Sequence, residues 1–398
     1  MHVRRSAAVL AATVVIGTAA PAVAASPSPV PVPSGLYGST DPTYDGVWRQ
    51  SLALIALHRV GVGPAAAAVG WLAGQQCASG AFAAYRADPA KACDAKVMVD
   101  TNSTAAAVQA LSALGGHDPA VSKAVTWLKS VQNKDGGWGY TPGGASDANS
   151  TSVVIGALNA TGADPAEVLK DGKSPYEALL KLSLPCADGG AFAYQPDKKG
   201  RLTANADATA AAVVGALGLG MASAKPGTAT DLTCADAARP TPEQAAANGA
   251  AYLARTVAKE GYLKSVLPGA EDQPDYGNTA DAVVALAARG GTAAAAGPLH
   301  WLERNSAKWA EQSGPAAYAQ LILAARVGGA DPRDFGGTDL VKQLTATGPT
   351  PAPAPTPTPA AKSQDDSGTS VWWMVGAGLA AGAGIGFLLS NRNKRKQP

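Results

Sequence analysis

The chain has 398 residues, 46% of them apolar and 6% aromatic, with a formal net charge of +2. That length and apolar share supply a real core in one large domain or two ordinary ones. A charge this close to zero, much of it held by two basic ends, excludes a nucleic-acid footprint.

His2, Arg4 and Arg5 precede the apolar run AAVLAATVVIGTAA, which ends in the small residues Ala22-Val23-Ala24. This is the pattern of a secretory signal peptide. It predicts residues 1–25 as a removable leader, cut after Ala24 or Ala25, and 26–44 as an exported linker.

From residue 45 to 347 the chain alternates two kinds of helix-forming segment. Six begin at Asp45, Asp100, Asp147, Asn205, Asp275 and Ser313, open on capping residues or proline, and close on glycine. They are apolar nearly all round, as helices enclosed by other helices are. Between them lie segments beginning near Pro64, Asp118, Ser174, Thr241, Ala293 and Gly337, where residues such as Trp127, Leu128 and Val131 mix with Lys123, Lys129 and Gln132. These read as amphipathic outer helices. The short connections GGHDP and TGADP make each inner and outer pair an antiparallel hairpin. The predicted fold is therefore all-α, an (α/α)6 toroid of six hairpins plus one C-terminal transmembrane helix.

In that topology the loops ahead of the inner helices share one rim. They carry Phe82, Tyr85, Trp138, Tyr140, Phe192, Tyr194 and Tyr262, expected to be exposed. Inner-helix N-termini at the same mouth, each with about half a positive charge, favour a ligand bearing phosphate, carboxylate or amide oxygens. In an exported domain the cysteines are expected to pair as Cys77 with Cys93 and Cys186 with Cys234, so that each bridge staples one long loop. A zinc site is disfavoured, since no C-x-x-C occurs.

Residues 348–370 are rich in Pro, Thr and Ala and predict an extended stalk. The uncharged run over 371–389 is long enough to span a bilayer, and the basic tail over 390–398 places that end in the cytoplasm. The toroid is then expected outside a bacterial cell membrane, on a single-pass anchor. Gly378, Gly382 and Gly386 fall four apart, a spacing that lets the anchor dock on a membrane transporter or a second copy.

The QNKDGGWGY loop, recurring in register with paired helices, resembles the prenyltransferase and squalene-oxidase repeat superfamily of α/α toroids. DANSTSVVIGALNATGADP and the segment GKSPYEALLKLSLPCADGGAFAYQ resemble the α domain of intrinsic factor and transcobalamin and their bacterial surface relatives. DTNSTA at Asp100 is similar to the Asp-x-Asp-Asp-Thr-Ala signature of squalene and hopene cyclases, whose central acid donates a proton. Asn102 and Asn149 occupy that central place, and Ser103 and Ser150 follow, so the resemblance implies no cyclase acid there. Asp207 is the nearest surviving carboxylate, read as one residue out of register and alone. No catalytic residue, metal site or obligatory cofactor is expected.

The leading expectation is a ligand-binding protein that captures a corrinoid such as cobalamin for uptake, as the intrinsic-factor resemblance implies. Its rim residues are Asp100, Asn102, Ser103, Trp138, Tyr140, Asp147, Asn149, Tyr194, Asp275, Tyr276 and Asn278. Helix capping alone also accounts for the polar members of this set. Two other classes stay open: an extracytoplasmic enzyme acting on a polyprenyl or glycan substrate, which needs acids facing the central cavity, and a structural or adhesion module.

Overall fold

A computed structural model describes residues 32–266 and 272–351. The expected signal peptide, transmembrane helix and basic tail, and the stalk beyond residue 351, lie outside the described residues.

The inner helices are α1 (Gly46–Arg59), α3 (Thr101–Leu114), α5 (Ala148–Ala160), α7 (Ala206–Ala216), the first half of α9 (Tyr276–Asn305) and α11 (Pro315–Gly328). Around them stand α2 (Ala66–Gly74), α4 (Asp118–Ser130), α6 (Pro175–Leu180), α8 (Pro242–Val257), the second half of α9 with α10 (Ala307–Ser313), and α12 (Leu340–Ala346). Helix α9 breaks at Gly291, whose φ of 72° lies in the left-handed region that glycine tolerates. Although α9 is long and apolar enough to cross a membrane, half of its apolar stretch is buried in the protein.

Each inner helix packs on the next, from α1 through α3, α5, α7 and α9 to α11, and α11 returns to α1. The ring is closed, so an open superhelix is excluded. Alanine makes the closure tight: Ala105, Ala106, Ala107 and Ala110 of α3 are wholly buried. A Cβ on Gly215 of α7 would come within 2.9 Å of the Ser152 backbone on α5, which shows how near those two helices run.

Caps set the helix starts. Asp100, Asp147, Asn205 and Asp275 accept the N–H three residues on, from Ser103, Ser150, Ala208 and Asn278. Asp45 departs from this expectation, because its carboxylate turns to the guanidinium of Arg49 at 3.1 Å instead of capping α1.

Two further expectations are corrected. Residues 33–44 are not a linker but part of the domain: Tyr37 is wholly buried, its N–H donates to Gln50 Oε1 at 2.9 Å, and Gly38 N–H donates to Thr347 O at 2.8 Å. This segment stitches the two ends of the ring together. Of the rim aromatics, Phe82, Trp138 and Phe192 are buried while Tyr140 and Tyr194 are exposed. The buried three are held inward because their backbone N–H groups donate to Thr104, Thr151 and Thr209 of the inner helices. Both expected disulfides, Cys77–Cys93 and Cys186–Cys234, are present.

Candidate functional site

A repeated threonine organises the rim. Four residues after the cap, Thr104, Thr151, Thr209 and Thr279 accept the backbone N–H groups of Phe82, Trp138, Phe192 and Leu263 at 2.9, 3.1, 2.9 and 3.0 Å. Each loop is thereby fastened to the first turn of an inner helix. Two residues after the cap stand Asn102, Asn149 and Asp207, and all three line a central chamber of about 240 Å³. Asp207 is therefore in register with Asn102 and Asn149, not displaced by one as the sequence reading had it. The shared caps settle the alignment, since Asn205 binds Ala208 N–H as Asp100 binds Ser103 N–H.

In α9 the corresponding position is Gly277. Four residues further, on the same helix face and one turn deeper, Asp281 faces the chamber beside Gln320 of α11. Trp48 and Leu52 of α1, Val214 of α7, Val284 of α9 and Leu323 of α11 supply apolar wall. No Lys, Arg or His is among the lining residues. The far end is closed by the chain after α7: Gln109 Oε1 accepts Ala222 N–H at 3.4 Å, and Arg59 donates to the carbonyls of Ala222 and Ala224 at 3.2 and 2.6 Å.

Two carboxylates thus share one enclosed, largely apolar space. Burial pushes Asp281 up to about 7, and the negative charge of Asp207 adds to the rise against a weak opposing bond from Gln320 Nε2 at 3.4 Å. Burial likewise raises Asp207, opposed by Asn149 Nδ2, which donates to its Oδ2 at 2.8 Å. Asn102 Oδ1, Asn149 Oδ1 and Ser152 Oγ, all on the lining residues, have no hydrogen-bond partner. A cavity of about 150 Å³ holds benzene, so this one takes on the order of ten heavy atoms.

The other sequence-identified residues surround the chamber without lining it. Asp100 and Asp147 are buried in their caps, and burial raises both carboxyls; Ser103 supplies the N–H that Asp100 accepts. Trp138 is in the core, its indole N–H donated to Leu128 O at 2.7 Å. Tyr140 and Tyr194 stand at the rim, 47% and 42% exposed. Asn278 Nδ2 donates to Asp275 Oδ2 at 2.8 Å, and Tyr276 lies against Trp301 and Trp309, with centroids 5.1 and 5.5 Å away. Among the described residues no group of three or more His, Cys, Asp or Glu side chains is placed to hold a metal.

Sequence reasoning passed over Asp281, Gln320, Gln109, Ser152 and Trp48. The available signal was Asp281 itself, an acid inside the apolar helix DYGNTADAVVALAA, where an unpaired charge is costly.

Residues 99–166 match the squalene-hopene cyclase C-terminal domain family. Drimenyl diphosphate synthase of Streptantibioticus cattleyicolor is 38% identical over 78 residues, which is 20% of this chain and only 13% of the synthase. Among solved structures, a protein from Actinoplanes aligns with 16% identity and a TM-score of 0.49 over 76% of this chain and 96% of its own. ent-Copalyl diphosphate synthase from Streptomyces platensis aligns with 18% identity and a TM-score of 0.48 over 71% of this chain and 50% of its own. The type II terpene cyclase MstE from Scytonema aligns with 11% identity and a TM-score of 0.49 over 78% and 92%.

Proposed function

We propose that the chain is an enzyme that moves a proton inside the ring chamber, acting on a small, mostly apolar part of an unsaturated substrate. The observation that carries this is the pair Asp207 and Asp281 facing one apolar space with no cation beside them. Two carboxylates so placed do not both ionise readily near neutral pH, and the one that keeps its proton is a usable acid. The raised Asp281 fills that role, with Asp207 as its charged partner.

In the proposed step the π electrons of an alkene take the Asp281 proton, forming a C–H bond as the O–H bond breaks. The positive charge left on carbon faces the Asp207 carboxylate and the ring of Trp48. Loss of a neighbouring proton to the Asp281 carboxylate restores the acid, so the net change is an isomerisation or cyclisation. The local likeness to squalene-hopene cyclases and to drimenyl diphosphate synthase supports this class of reaction. Asp207 stands two residues after its cap Asn205, the place within the repeat that Asn102 holds after Asp100. A chamber for on the order of ten heavy atoms takes one end of an isoprenoid, leaving the rest in the mouth.

The test is incubation of the full-length protein with geraniol, farnesol and farnesyl diphosphate in D2O, followed by mass spectrometry. Deuterium on carbon is expected, falling at least about 100-fold in Asp281→Asn. Turnover that persists in both Asp281→Asn and Asp207→Asn, or the lack of any deuterated product, counts against the reading. A second reading, a corrinoid held at the rim, is favoured by the exposure of Tyr140 and Tyr194. It calls for calorimetric binding of cobalamin that Asp281→Asn leaves unchanged. In either case the expected anchor would hold the ring outside the cell.

A further inference from the structure

The ring closes where α11 packs on α1, and a second pocket of about 340 Å³ opens there, lined by Arg59, Val60, Gly61, Arg326, Asp331, Pro332 and Arg333. It lies at the C-terminal ends of both helices, the opposite end from the rim. Each helix C-terminus carries about half a negative charge, so the two ends together amount to about one. Three guanidiniums against that and a single carboxylate leave the pocket about one charge positive.

Among the described residues nothing neutralises that excess. None of the three arginines forms an ion pair among the described residues. Asp331 turns one carboxylate oxygen to the backbone N–H of Arg333 at 2.9 Å. Arg59 is held by its two terminal nitrogens on Ala222 O and Ala224 O, while its Nε is buried with no partner. An orphaned buried N–H on a fixed guanidinium is a rare feature, and in a positive pocket it points to an anion. Arg326 and Arg333 are exposed and free to turn inward. Burial, and after it the nearby charge of Arg326, works against protonation of Arg59, and a bound anion would relieve that repulsion.

We infer that this seam pocket binds a phosphate-type anion through Arg59, Arg326 and Arg333. A tetrahedral oxyanion presents acceptors to forks arriving from three positions, which suits guanidinium better than a planar or monatomic anion does. The phosphate has two possible sources, a soluble phosphate or diphosphate and the headgroup of a lipid.

The experiment is titration calorimetry of the full-length protein at low ionic strength with inorganic diphosphate, dihexanoyl phosphatidic acid and dihexanoyl phosphatidylcholine. Saturable binding of at least one of the first two is expected, weakened about 10-fold or more in Arg326→Gln/Arg333→Gln and unchanged in Asp281→Asn. Both substituted arginines are exposed, and Arg59 is left in place because it also holds the chamber floor. Tighter binding of phosphatidic acid than of diphosphate assigns the site to a lipid headgroup, and the reverse assigns it to a soluble anion. No saturable binding of either, equal binding of phosphatidylcholine, or full binding by the double variant overturns the proposal.

Discussion

Asn149 donates from Nδ2 to Oδ2 of Asp207 at 2.8 Å, across the gap between α5 and α7. The amide favours the ionised form of Asp207, and that charge in turn helps raise Asp281. The two acids therefore act on each other through charge, and Asn149 on a third helix biases the first of them. Replacing Asp207 by Asn removes the negative neighbour, so Asp281 should titrate at a lower pH than in the wild type. Carboxyl 13C NMR of Asp281, or the basic limb of the proton-transfer profile, should move toward acid. A limb that stays in place means the acids do not interact.

Stability should depend on pH through the same residue. Asp281 titrates at about 7 in the folded chain against an ordinary 3.8, so between those values the folded chain keeps a proton that the unfolded chain has lost. The stabilisation is fully present below about pH 4 and is lost as pH rises through 7. For an isolated group this amounts to at most about 4 kcal/mol. Thermal melts of the wild type should fall from pH 4 to 8, and Asp281→Asn should flatten most of that slope. Some slope should survive, because burial raises Asp207, Asp100 and Asp147 in the same direction.

The ring was legible because its signals are local and repeated: caps at Asp100, Asp147, Asn205 and Asp275, apolar inner segments and closing glycines. The floor and the acid pair were not, since both depend on residues far apart in sequence. Gln109 and Ala222 are 113 positions apart, and only ring closure brings them together. Asp207 could have been placed by counting from its cap to Thr209, a register that Thr104 and Thr151 share. The cyclase signature obscures that regularity, because it has carboxylates at neighbouring positions that this chain lacks. The aromatic loops are not legible from residue type, because what buries Phe82, Trp138 and Phe192 is the bond from each backbone N–H to a threonine on an inner helix.

The threonine repeat should be structural, not catalytic. Thr209 is wholly buried, and its Oγ1 is the acceptor for Phe192 N–H at 2.9 Å. Thr209→Val keeps the volume and strands that N–H, at a cost of about 1 to 3 kcal/mol. Denaturant unfolding should show the loss, while Asp281 should keep its titration. A variant as stable as the wild type would show that the loop finds another acceptor.

The two disulfides should differ in what they hold. Cys77 and Cys93 are 16 residues apart, whereas Cys186 and Cys234 are 48 apart and join the loop after α6 to the long segment that continues from the chamber floor. In the loop-entropy picture the first stabilises by about 3 kcal/mol and the second by about 4 kcal/mol. Floor residues 219–224 lie between α7 and Cys234, so releasing that bridge loosens one end of the segment that Arg59 and Gln109 hold at the other. Cys186→Ser/Cys234→Ser should therefore lower the unfolding midpoint more than Cys77→Ser/Cys93→Ser. It should also speed hydrogen exchange at Ala222, whose N–H is bonded to Gln109. Exchange at Ala222 that is equal in both variants would show that the floor is held by the ring alone.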